Sequence, residues 1–413
     1  MIYNPSHINI FKEKAQLWAS SFSSVCIFDS NGYKDPYSSL SFMIAVGTEA
    51  EYRSNGPVDA VALQEFIDSH PEQIIPGYLT YELAAFFFVP KYVITCKSDI
   101  VTILGHNSES IIQAIESTAD TSEPINFKGE IKARMSRDEY SYSFNKLKEH
   151  ILKGDLYEVN LCQEFYVDNA ELNSYRAYKE LNATSPTPFS CYFKHDDLAI
   201  ISASPERFLS RKGNIIVSQP IKGTAPRGKT PKEDIENREH LRNDPKEISE
   251  NVMVVDLVRN DLSVIAEPGT VKVEELLGVY SFKQVHQLIS TISCNAREGL
   301  SSSELVTKAF PPGSMTGAPK ISAMELIKRY EKSNRGLYAG SIGYFNGNHD
   351  FDFNVIIRTI IYNLNTRYLS FHVGGAVTSL ALEEQEFEEC LLKASAINSL
   401  LKKNRETDKP LYK

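Results

Sequence analysis

Strand-like runs and helix-like periods follow one another along this chain without strict strand–helix–strand alternation, and this pattern narrows the architecture most. Short apolar runs at 24–28, 41–46 and 92–96 lie between turn signals such as Asn31-Gly32 and Asn55-Gly56-Pro57. Further runs occupy 157–165, 189–193, 198–202, 215–220, 340–345, 352–361 and 368–373. One helix opens on the capping box Ser136 to Glu139, carries Tyr140, Phe144, Leu147 and Ile151 at helical spacing, and stops at Lys153-Gly154. Another starts at Asp244-Pro245, a capping residue before a proline, and a terminal helix spans about 382–402. A doubly wound parallel sheet needs regular alternation, so the expected class is α+β.

The polar stretch 116–128, which contains Pro124, reads as a surface linker between an N-terminal region, 1–125, and a C-terminal region, 136–400. The balance of 44 basic against 53 acidic residues leaves −9, which argues against a nucleic-acid-binding surface. The densest apolar run, LAAFFFV at 83–89, is too short to span a bilayer, and residues 1–19 lack the apolar core of a signal peptide. Six scattered cysteines without a C-x-x-C read as reduced thiols, so the expected setting is the cytoplasm, with no membrane and no nucleic acid.

Phosphate-binding, dinucleotide, zinc-protease and esterase motifs are missing from the sequence. What stands out is acidic and basic residues beside glycines. Glu247 and Glu250 share one face of the helix after Asp244, and Glu386 and Glu389 share a face of the terminal helix, with Lys393 one turn on. Two such faces across a cleft suit a hard divalent ion, whereas either pair taken alone reads first as a solvated acidic face. Lys222, in PIKGT, follows a strand and precedes a turn at Gly223-Thr224. It is either a surface charge or an amine poised as nucleophile or base. Glu206, after Pro205, is either a salt-bridge partner of Arg207 or a general acid/base. Arg358 sits in an apolar strand and needs an anionic partner, from the protein or from a ligand. His286 and the expected turn at Gly374-Gly375-Ala376 add weaker signals.

SASPERF, PIKGTAPRG, ENVMVVDLVRND, EPGTVKV, VHQLIST, FPPGSMTGAPK, RGLYAGSIGY, IIRT, VGGAV and EFEECLLKA occur in that order. Together they closely resemble the chorismate-binding enzymes: the large subunits of anthranilate and aminodeoxychorismate synthases, with isochorismate and salicylate synthases as relatives. The match covers about 136–400. The N-terminal third resembles the group more faintly, through FDSNG, DPYSSL and GYLTYEL. The resemblance implies two large, mostly antiparallel sheets packed as a sandwich and flanked by helices. It also implies an activity, because lysine in PIKGT marks the para-aminobenzoate branch: amination of chorismate at C4. There Lys222 would attack C2 as the C4 oxygen leaves, and ammonia would then add at C4 and expel the lysine, so one hard substitution becomes two allylic ones. The alternatives within the family are anthranilate synthase and a salicylate- or isochorismate-forming enzyme. A catalytically silent binding protein is the alternative outside it.

Carried onto this sequence, the resemblance makes Glu206 the acid for the departing oxygen. Glu250 and Glu389 would hold Mg²⁺ directly, and Glu247 and Glu386 through water. Arg358, Tyr338, Lys393 and Gly374, Gly375 and Ala376 would bind carboxylates, while His286 and Thr224 would line the pocket. Glu158 stands where glutamine is commoner in the group, and Asn251 where histidine is common. No glutaminase elbow is present, which implies a separate glutamine amidotransferase as partner.

Overall fold

The computed structural model describes residues 1–38, 40–97, 100–119 and 124–402. Two antiparallel sheets carry the architecture, with twelve strands in one and ten in the other among the described residues. In the first, Val25–Asp29, Phe189–His195, Leu198–Ser204, Thr359–Asn363, Tyr368–Val377 and Glu158–Val167 lie in that lateral order. In the second, Ile221–Pro226, Val285–Asn295, Ile215–Gln219, Arg207–Lys212, Phe351–Val355, Ser341–Phe345 and Ile75–Leu79 do so. Early and late strands pair directly in both sheets: Val25–Asp29 against Phe189–His195, and Ile75–Leu79 against Ser341–Phe345.

The sheets pack face to face. Cys26, Met43, Cys191, Phe193 and Ile200 from one meet Phe86, Phe88, Ile342 and Tyr344 from the other, as in a β-sandwich. Helices cover the outer faces. Phe11, Ile115, Tyr178 and Ile397 come from four helices on the first sheet. Leu63, Val255, Val258 and Leu305 come from three on the second. Phe353 is fully buried among Phe87, Phe345 and Phe351. Phe353→Ala is expected to destabilise the fold by about 3–5 kcal/mol, read as a lower denaturant midpoint with an unchanged slope.

Most expected elements form, and their ends follow the local chemistry. The helix Arg137–Lys153 has the full Ser136–Glu139 capping box and ends at Gly154, at φ 86°. Asp244 caps Pro245–Ile265, accepting from the Lys246 and Glu247 amides. The run 83–89 supplies the buried strand Ala85–Val89. All six cysteines are buried. Among the described residues, no helix is long and apolar enough to cross a membrane.

Three expectations need correction. The run 352–361 is two strands, Phe351–Val355 and Thr359–Asn363, which belong to different sheets. The chain crosses between them through Arg358, at φ 51°. The expected turn at Gly374-Gly375-Ala376 is instead strand, because Tyr368–Val377 stays paired with Glu158–Val167 beyond it. Its glycines are there for close approach: a Cβ on Gly374 would lie 2.4 Å from the Cys162 sulfur. The stretch 116–128 is not all surface, since Ile125 and Phe127 are buried in the core of the first sheet. Its residues 120–123 lie outside the described ones.

A second crossover faces the first. The chain leaves the first sheet at Ser204 and enters the second at Arg207, through Pro205 and Glu206. The two crossovers are tied together: the Val355 amide donates to the Glu206 carbonyl at 3.0 Å, and the Ala203 amide to the Arg358 carbonyl at 3.2 Å. Glu206 and Arg358 are thus placed by the same change of sheet.

Candidate active site

Beside these crossovers lies a cleft of about 900 Å³, its open mouth included. The edge strand Ile221–Pro226 forms one wall, the strands Glu158–Val167 and Tyr368–Val377 another, and the helices Pro245–Ile265 and Glu383–Lys402 contribute carboxylates and a lysine.

Lys222 enters the cleft through a bulge. The register between Ile221–Pro226 and Val285–Asn295 slips between Ile221 and Thr224, and Gly223 takes up the extra residue at φ 98°. A side chain on Gly223 would also press against Leu288 and Glu247. Asn251 fixes the lysine's backbone, donating from Nδ2 to the Lys222 carbonyl at 3.0 Å and accepting from Ser290 at 2.6 Å. The Lys222 Nζ, with 12% of its side chain exposed, lies 2.7 Å from Glu158 Oε1 and donates to Asn160 Oδ1 at 3.3 Å. Burial opposes the ammonium charge, but Glu158 and Glu250 outweigh it and hold the pKa above the ordinary lysine value.

Glu206 is buried, and burial pushes its carboxyl up to about 7 against the pull of a Ser314 hydrogen bond and the Lys222 charge. A carboxyl that keeps its proton near neutrality can donate it. Nearby, the Arg358 guanidinium makes no ion pair or side-chain hydrogen bond among the described residues. Burial draws its pKa down to about 10, with Glu206 partly offsetting that. A half-buried guanidinium in a cleft without a protein partner is a place for a ligand anion. Tyr338 stacks on His372 with ring centroids 4.8 Å apart, and its hydroxyl lies 3.6 Å from the Cys162 sulfur.

Of the four helix glutamates, Glu247, Glu250 and Glu389 line the cleft. Glu386 lies beneath it, 2% exposed, 2.8 Å from the Lys246 ammonium. Lys246 also approaches Glu250 at 3.8 Å, and Lys393 pairs with Glu389 at 2.8 Å. Among the described residues, no three His, Cys, Asp or Glu side chains converge as a metal-binding group. The donor chemistry nevertheless fits a hard divalent cation. Glu250 Oε1 is buried without a hydrogen-bond partner, and burial pushes its carboxyl up to about 7. A cation there would take over neutralisation that the two lysines now supply.

Lys222, Glu206, Thr224, Tyr338, Arg358, Gly374, Ala376 and Lys393 all line the cleft, and Lys393 donates to the Gly374 carbonyl at 3.0 Å. Gly375 lies on the opposite pleat, against Glu386. His286 also faces away: its Nε2 lies 3.0 Å from Asp234 and its Nδ1 2.8 Å from Ser281. Successive strand residues point to opposite faces, so Gln287 takes the cleft position and reaches Thr224 Oγ1 at 3.4 Å. Asn160, Ser314 and His372 are cleft residues that the motifs did not single out. Alternation along Glu158, Asn160 and Cys162 was the available signal for the first.

The family model for chorismate binding enzyme matches residues 24–399. The chain belongs to the chorismate-binding enzymes. The aminodeoxychorismate synthase component 1 of Escherichia coli K12 is 35% identical over 81% of this chain and 74% of its own length. That of Klebsiella aerogenes is 39% identical over 64% of this chain and 58% of its own length. This chain therefore spans less than two thirds of some curated relatives it matches, and 29% of one from rice. Among solved structures, the menaquinone-specific isochorismate synthase MenF of E. coli superposes with a TM-score of 0.79 over 97% of this chain and 94% of its own. It is 18% identical, so the likeness is one of fold. MenF thus shares the two-sheet sandwich found here.

Proposed function

We propose that the chain aminates chorismate at C4 to give 4-amino-4-deoxychorismate, with Lys222 as covalent nucleophile and ammonia from a separate glutamine amidotransferase. The observation that carries this reading is the Lys222 ammonium, half-buried in one cleft with the proton-bearing Glu206 and with Arg358, which is unpaired among the described residues. The names of the relatives, aminodeoxychorismate synthase component 1, support the substrate and a second component.

Chorismate is a dianion around a cyclohexadiene. Arg358, Lys393, Tyr338, Thr224 and the backbone at Gly374 and Ala376 are the groups that bind and orient its carboxylates. The Lys222 nitrogen attacks C2, and the C4 oxygen leaves as water with the Glu206 proton. Ammonia then adds at C4 and the lysine departs from C2. Glu250 and Glu389 would hold Mg²⁺, with Glu247 and Glu386 acting through water; its chemistry there is neutralisation of the ring carboxylate.

Incubation with chorismate, Mg²⁺ and an ammonium salt tests this reading. The expected product is 4-amino-4-deoxychorismate, lost on chelation of the metal. Anthranilate, isochorismate or salicylate as the only product overturns it.

A further inference from the structure

Lys222 can attack only as a free amine, yet its surroundings favour the ammonium. The proton therefore needs an acceptor inside the cleft. Glu206 is assigned to deliver a proton to the leaving oxygen and cannot serve as that acceptor in the same step. Glu158 is the carboxylate in contact: its Oε1 lies 2.7 Å from Nζ, and 4% of its side chain is exposed. Glu250, Glu389 and Glu206 also act on Lys222 or are acted on by it, as does Lys393. None of them lies within ion-pair distance of Nζ among the described residues.

The placement of Glu158 is rigid. It pairs with Ala318 at the start of Glu158–Val167, where Tyr157 points outward and Glu158 inward. Two residues on, Asn160 offers Nζ its second acceptor. Arg335, ion-paired to Glu331 at 2.7 Å, donates to the Asn160 carbonyl at 3.0 Å, and Glu331 accepts from the Cys162 amide at 2.8 Å.

We propose that Glu158 is a positioning residue that also accepts the Lys222 proton, so that nucleophile and base form a built-in pair; this rests on the covalent reading above. The exchange balances. The ammonium gives one proton to the Glu158 carboxylate, and the nitrogen lone pair forms the C2 bond. The C4–O bond breaks, and water leaves with the Glu206 proton. When ammonia adds at C4 and the C2–N bond breaks, the released amine recovers its proton from Glu158, and the new C4 ammonium gives up one proton that restores Glu206.

The test is the rate of adduct formation on the full chain with Mg²⁺ and chorismate but no ammonia, followed by intact mass between about pH 5.5 and 7. In the unmodified chain the rate is expected to be flat in this range, because the proton passes internally. In Glu158→Gln the proton must go to solvent. The rate is then expected to fall about 100-fold at pH 6 and to climb about tenfold per pH unit, with KM for chorismate in turnover nearly unchanged. Glu158→Asp is expected to restore a flat profile at reduced rate. If Glu158→Gln matches the unmodified chain, or is slowed equally at every pH, the proposal is overturned while the lysine chemistry stands. If the unmodified chain forms no adduct, the covalent reading falls and this proposal with it.

Discussion

Lys222→Ala is expected to lower 4-amino-4-deoxychorismate formation by at least about 1,000-fold, some 4 kcal/mol of barrier, because the other cleft amine, Lys393, is held by Glu389 and the Gly374 carbonyl. Truncation also strands Glu158, now paired at 2.7 Å. A loss of stability would therefore accompany the loss of turnover and could be mistaken for its cause. Lys222→Arg separates the two. A guanidinium keeps the charge and can still donate to Glu158, but it does not deprotonate in the range where proteins work. The arginine variant is expected to be as inactive as alanine while melting close to the unmodified chain. Turnover by either variant near the unmodified rate would remove Lys222 from the chemistry.

Glu206→Gln is expected to reduce turnover by about 10²–10⁴-fold with little change in KM, the usual range for a lost general acid. Its pH dependence identifies the role. Burial places the Glu206 carboxyl at about 7. Its proton is present below that value and lost above it, so kcat/KM in the unmodified chain should fall as pH rises past about 7. The glutamine variant should lack that limb. Stability carries the same sign. The folded state keeps a proton between the ordinary glutamate pKa of 4.5 and about 7 that the unfolded chain gives up. This group's contribution is therefore full at low pH and declines through that window. Denaturation at both ends of it should show Glu206→Gln gaining on the unmodified chain as pH rises.

Local chemistry wrote much of this fold into the sequence. The Ser136–Glu139 box, Gly154 and Asp244-Pro245 set helix ends through hydrogen bonds made within a few residues, so a linear reading reaches them. Apolar runs likewise located most strands of the first sheet, but in the second they located only Ile215–Gln219, Ser341–Phe345 and Phe351–Val355. What escaped depends on partners distant in sequence. The run FDFNVIIRTIIYN stays apolar through the crossover because it is buried in one sheet before Ile356 and in the other after Arg358. The glycines of VGGAV signal a turn to any local rule, yet they serve the close approach of Cys162 and Glu386.

The candidate site divides in the same way. Arg358 was readable because it is a charge in an apolar strand, where charge is expensive, whereas Lys222 and Glu206 were singled out by the motifs PIKGT and SASPERF. His286 and Gln287 are both buried polar neighbours, and only the register against Ile221–Pro226 tells which one faces the cleft. Glu386 shares a helical face with Glu389, but its depth beneath the cleft is a property of the packing.

The paired crossovers also bear on how the chain acquires its chemistry. Ser204 donates to the Val355 carbonyl at 2.6 Å, joining positions 151 apart in sequence, and both residues begin or end a passage between sheets. Contacts so remote in the chain are slow to close and come after local helices and hairpins. Neither half of the polypeptide, folded by itself, would hold both the proton donor and the guanidinium. During refolding, the return of turnover would therefore time the moment at which the two layers lock together.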